Sequence, residues 1–162
     1  MVTIENFQKN QMFNQRKDSF RLREHELNKL INDFIDFNPL LEIWIKKGAD
    51  KNMTHFAEVL GCFLAPFSKG DSTALTNSQI RNIFGEIKRI QMGKFNNNKA
   101  AFYILKPKVA YAAGRHNKLG ILTFKAYFDR AFGYVEDEND FINFCNLLEA
   151  ILAYHKAYGG KD

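Results

Sequence analysis

Proline and glycine are scarce in this chain, three and ten among 162 residues. Strands need frequent punctuation by such residues, so the shortage argues against an all-β sandwich or barrel. Cysteine is scarcer still: Cys62 and Cys145 stand alone and belong to no spaced motif. Two free thiols in a reducing, cytoplasmic setting are the simplest reading. Apolar runs are short and broken by charge, which excludes a bilayer-spanning helix. The N-terminus lacks the basic flank, apolar stretch and small-residue cleavage site of a secretory signal and is not expected to be one.

Enzyme signatures are missing as well. There is no phosphate-cradling glycine loop with its lysine, no dinucleotide fingerprint and no nucleophile elbow. The "REHEL" at 23–27 pairs a histidine with a glutamate but lacks the second histidine that a zinc helix requires. His25, His55, His116 and His155 are scattered, and His155 lies on an apolar stripe, where a hydrogen-bonded core histidine is expected rather than a metal ligand. The acidic run at 136–140 suits a helix start and a solvated surface. No catalytic residue, metal ligand or cofactor is expected.

What is present favours helices. The chain is 46% hydrophobic and 25% charged and carries 16 phenylalanines, the composition of one folded domain with a real core. An amphipathic helix is expected from Ser19 to about Asp36, ended by "FNP" at 37–39. Short helices follow at about Leu40–Lys47, closed by Gly48, and Asn52–Leu64, before a linker in "APFSKGDS". Thr76 and Gln79 form a capping box for a helix over 76–91, with Ile80, Ile83, Phe84, Ile87 and Ile90 on its apolar face. The next covers about 97–115, with Phe102, Leu105 and Val109 inward, Pro107 inside and Gly114 at its C-terminal end. Two more run near 118–133 and 138–158, the last burying Phe141, Phe144, Cys145, Leu148, Ile151, Leu152 and His155 and stopped by "GG" at 159–160. The expected fold class is all-α, a compact bundle of five to six helices.

Charge is unevenly placed. Residues 1–75 carry ten basic and ten acidic side chains, and 131–162 are net −4. Residues 76–130 hold eleven Lys and Arg against only Glu86 and Asp129, a net of +9. A solvated surface is one reading. Ordinary helical surfaces mix both signs, however, so a polyanion partner is preferred. Within "YILKPKVAYAAGR" at 103–115, Lys108, Tyr111 and Arg115 share one helix face, and Arg81, Gly85 and Lys88 share another, with Arg89 beside them. Such a face can follow a phosphate backbone and offers nothing that attacks a carbonyl.

Three blocks, "LTNSQIRNIFGEIKRIQ" (75–91), "ILKPKVAYAAGR" (104–115) and "LEAILAYHKAYGGKD" (148–162), together resemble the small helical subunit family of the type III-A CRISPR–Cas effector, the Csm complex. The likeness extends upstream to about Trp44, through "WIKKGADKNMTHFAEVLG". Asn77 stands where many relatives have a second threonine. On this resemblance residues 38–162 are the small-subunit bundle and 1–37 an N-terminal helical extension.

The resemblance implies a non-catalytic RNA-binding protein for antiviral defence, in which several copies lie along the groove holding guide (CRISPR) RNA and target RNA. The implied partners are those RNAs, the backbone and large subunits of the effector and further copies of itself, with no membrane. Base pairing reads the sequence, so the protein's contacts need only follow the backbone. The candidate RNA-binding residues are Arg81, Lys88, Arg89, Lys108, Arg115 and Lys118, expected as one basic face, and Lys106 as a weaker candidate whose direction the neighbouring Pro107 leaves open. A helical protein–protein adaptor with incidental RNA contact is the alternative.

Overall fold

A computed structural model describes residues 37–65, 75–116 and 118–158. The expected Ser19–Asp36 helix, most of the "APFSKGDS" linker and the terminal "GG" lie outside them. Six α-helices follow one another: α1 (Phe37–Lys47), α2 (Lys51–Leu64), α3 (Asn77–Met92), α4 (Lys99–His116), α5 (Leu119–Phe132) and α6 (Glu138–Ala157), with a short 3-10 helix at Phe95–Asn97 between α3 and α4. There is no strand among the described residues. The all-α expectation holds.

Local chemistry accounts for the helix ends. The "FNP" run, expected as a break before this helix, is itself helical within the described part of α1. Gly48 ends α1 at φ +101°, its N–H donating to the Trp44 carbonyl at 3.0 Å, in a left-handed conformation that a side chain would strain. The Asp50 carboxylate caps α2 by accepting from the Met53 N–H at 2.8 Å, and the same oxygen accepts from the Trp44 indole N–H at 2.8 Å. One carboxylate thus sets the angle of the α1–α2 corner. Thr76 and Gln79 form the capping box at α3, at 3.2 and 2.8 Å. Asp137 caps α6 through the Asp140 N–H at 2.8 Å.

Gly114 falls inside the last turn of α4, which continues to His116, rather than closing the helix. Pro107 interrupts no assignment either: α4 runs through it. Tyr103, whose carbonyl an ordinary amide at 107 would bond, is exposed, so the missing hydrogen bond falls on the wet side of the helix.

The long α6 is the spine, with α1 and α2 packed along it. Gly61 makes the α2 contact close: a Cβ there would lie 2.6 Å from Tyr154 Cβ and 2.8 Å from the Ile151 carbonyl oxygen. Gly61→Ala is therefore expected to destabilise the fold by about 1–3 kcal/mol, because the obstruction is largely backbone and cannot rotate away. Gly85, whose Cβ would meet nothing within 4 Å, is the counterpart. Gly85→Ala should gain up to about 1 kcal/mol from helix propensity. Thermal melts of the two variants should move in opposite directions.

The core between α4, α5 and α6 is built of phenylalanine rings. Phe102 stacks on Phe132 with centroids 4.3 Å apart, and Phe128 meets Phe144 edge-on at 5.5 Å. Cys62 and Cys145 are buried, and burial pushes the Cys145 thiol up to about 12. All the residues expected on the inner stripe of α6 are buried except Leu152, which is partly exposed. His155 is buried, with Nε2 3.2 Å from the Leu75 carbonyl oxygen, so an N–H donates there and ties the start of α3 to α6. The core-histidine reading of this side chain holds.

Acidic residues of the 136–140 run do more than cap. Asp140 accepts from the Lys46 ammonium at 2.7 Å and from the Glu136 N–H at 3.1 Å, joining the end of α1 to the start of α6. The hydrogen bond to Asp140 holds the Lys46 pKa above its ordinary value, against partial desolvation. Glu138 accepts from the Phe95 N–H at 2.8 Å, while the Phe95 ring stacks on Phe141 at 5.2 Å. These two contacts anchor the turn between α3 and α4 and so help to set how those helices meet.

Candidate nucleic-acid interface

Helices α3 and α4 pack against one another below that anchored turn and leave a groove of about 640 Å³ on their outer side. The apolar stripes explain it. Ile83, Ile87 and Ile90 of α3 and Leu105, Val109 and Ala113 of α4 turn inward. What remains outward is Arg81 and Glu86 from α3, with Ile104, Lys108, Tyr111, Arg115 and His116 from α4. Gly85 and Ala112 line the same groove with almost no side chain, which leaves backbone close to its surface.

Three of the seven candidate residues meet here: Arg81, Lys108 and Arg115. Arg89 lies next to the groove, its guanidinium donating to Glu86 at 2.9 Å. Glu86 also pairs with Lys108 at 3.3 Å. The Arg89 hydrogen bond, with Lys108 adding to it, holds the Glu86 carboxyl below its ordinary range against partial desolvation. A carboxylate therefore sits within the basic face and occupies two of its cations. Charge counting recorded Glu86 as one of two acids in the middle of the chain, but its i, i+3 relation to Arg89 was the only sign of where it would point.

The other three candidates lie elsewhere. Lys88 turns toward α6 and pairs with Glu149, on a second, largely apolar groove lined by Ile80, Phe84, Leu148 and Leu152 and shared with Arg81, which stands between the two grooves. Lys106 stands 6.0 Å over the Phe132 ring, on the α5 side of α4. Lys118 is exposed and occupies the N-cap position of α5. The seven thus spread over α3, α4 and the start of α5, with Arg81 on both grooves. Their centre is the α3–α4 groove, with Lys88 and Lys106 to either side of it.

The groove is lined by both charged and apolar side chains. Its cations are exposed, its walls are part apolar, and its carboxylate is engaged in ion pairs. Among the described residues no group of three or more His, Cys, Asp or Glu side chains could hold a metal ion. Nor is any described helix long and apolar enough to cross a membrane.

Comparison with known proteins bears on the same region. No solved structure matches the chain. A curated relative, the "CRISPR system Cms protein Csm2" of Streptococcus thermophilus, is 32% identical over 117 residues, covering 70% of this chain and 96% of the relative. The family profile described as Csm2 Type III-A matches residues 47–161, which include α2 to α6 and therefore both walls of the groove. The chain belongs to the Csm2 family, the small subunit of the type III-A Csm complex.

Proposed function

We propose that this small subunit is a non-catalytic RNA-binding component of the type III-A CRISPR effector, working in the cytoplasm, and that the α3–α4 groove lies along guide and target RNA. The observation that carries the reading is the convergence of Arg81 from one helix with Lys108 and Arg115 from the other on a single groove. Cations spaced along two helices neutralise successive phosphates and release their counterions, without reading base edges. Lys118 and Arg89 extend the basic surface, and Lys88 and Lys106 contribute more weakly. The remaining partners are the backbone and large subunits and further copies of the chain. Ile43 on α1 and Ile142 on α6 are exposed apolar side chains outside the groove, available to protein contacts.

Salt titration of RNA binding tests this. With three to four phosphate contacts, log affinity against log salt should fall with a slope of about −2 to −3, equally for unrelated sequences. The RNA should stay intact on a denaturing gel after long incubation with purified protein. A slope near zero would overturn the reading in favour of the adaptor, and cleavage lost on changing a groove residue would overturn its non-catalytic part.

Glu86 supplies a test of opposite sign. Glu86→Gln removes a negative charge from the basic surface and releases Lys108 and Arg89. RNA affinity is expected to rise about three- to fivefold at 0.1 M salt, with a steeper slope. Weaker binding by this variant would count against the groove as the RNA track.

A further inference from the structure

The cations do not account for Tyr111. Its ring is 68% exposed on the groove wall, one turn from Lys108 and one from Arg115, and among the described residues it meets no other aromatic ring. Ile104, two turns away on the same stripe of α4, is 51% exposed and lines the same groove. Exposed apolar surface of this size, set between phosphate-binding side chains, has the composition of a platform for a base: charge for the backbone and a flat aromatic face for the ring. Pro107 and Ala112, beside it on the groove wall, leave the space around the ring open.

Resting on the RNA reading above, we propose that Tyr111 stacks on an unpaired nucleobase, so that the groove takes RNA that offers an unpaired base in preference to a continuous duplex. In an A-form helix both faces of each base are covered by neighbours, so no π-face is open to a side chain standing on a protein helix. A single strand can turn one base out onto Tyr111 while its phosphates stay on Arg81, Lys108 and Arg115. Every base has a π-face, so the contact adds affinity without sequence preference.

The test compares an unstructured RNA of roughly 12 nucleotides, carrying 2-aminopurine at one position, with a duplex of the same length, a size that spans such a site. The unaltered protein should bind the single strand more tightly and quench the 2-aminopurine fluorescence. Tyr111→Ala should weaken single-strand binding about five- to thirtyfold and abolish the quenching, leaving duplex binding within about twofold. Tyr111→Phe keeps the π-face and should restore both. The salt slope should be the same in all three proteins, because stacking releases no counterion. Equal loss on single strand and duplex, or no loss in a protein that still binds RNA in a salt-dependent way, overturns the stacking proposal alone. Absence of salt-dependent binding by the unaltered protein overturns the RNA reading and this proposal with it.

Discussion

Replacing Phe144 by alanine is expected to destabilise the fold by about 3–5 kcal/mol. The ring is fully buried at the meeting of α4, α5 and α6. It touches Phe128 at 5.5 Å, Phe102 at 5.9 Å, and Phe132 and Phe141 at 6.4 Å between centroids. Truncation removes the transfer free energy of the ring and leaves a cavity lined by rigid rings that stack on one another rather than collapse into it. The upper half of the range is therefore expected. Domains of this size have only about 5–15 kcal/mol in hand, so the alanine variant could lose much of its native population. Phe144→Leu, which keeps most of the volume, is expected to cost about 1–2 kcal/mol and provides a folded comparison. The surface control Lys156→Ala should stay within about 0.5 kcal/mol of the parent. Urea denaturation followed by circular dichroism measures all three. A loss under about 1 kcal/mol for Phe144→Ala would mean that the ring cluster is not the core described.

Arg81, Lys108 and Arg115 changed together to alanine should cost about a hundredfold in RNA affinity at 0.1 M salt. Each phosphate contact contributes about 0.7 log units per tenfold change in salt on a single strand, or roughly fivefold at 0.1 M, and three distant contacts multiply. The salt slope should become shallower by about two units, with the loss alike for every RNA sequence. All three side chains are exposed, so the circular dichroism spectrum and melting temperature should not change appreciably. The paired control is Lys88→Ala with Lys106→Ala. Lys88 is engaged by Glu149 and Lys106 lies over Phe132, away from the groove, so this double variant should lose far less. Equal losses in the triple and double variants would move the interface off the groove. Within an assembled effector, several copies on one RNA would compensate for single changes, so the comparison is best made on the isolated protein.

Most of the helix boundaries were legible in the residues because they are decided within a few positions. The capping box at Thr76 and Gln79, the acidic start of α6 and the stop at Gly48 each satisfy backbone groups that the helix leaves open. Apolar spacing likewise placed Phe102, Leu105 and Val109 inward. Local rules failed where two outcomes were close in energy: "FNP" is helical within α1, and Gly114 is carried inside α4.

The sequence by itself determined an all-α chain, a phenylalanine-rich core, a basic middle and a resemblance to the small-subunit family. Only the tertiary structure decided which cations converge. Lys88 meets Glu149 across 61 positions and Lys108 meets Glu86 across the α3–α4 contact, pairings set by how the helices rotate and pack. The requirement for glycine at position 61 has the same origin, since the obstructing atoms belong to α6. Periodicity fixes which face of a helix is buried, but a long charged side chain on the remaining surface takes its direction from whatever the neighbouring helix brings within reach.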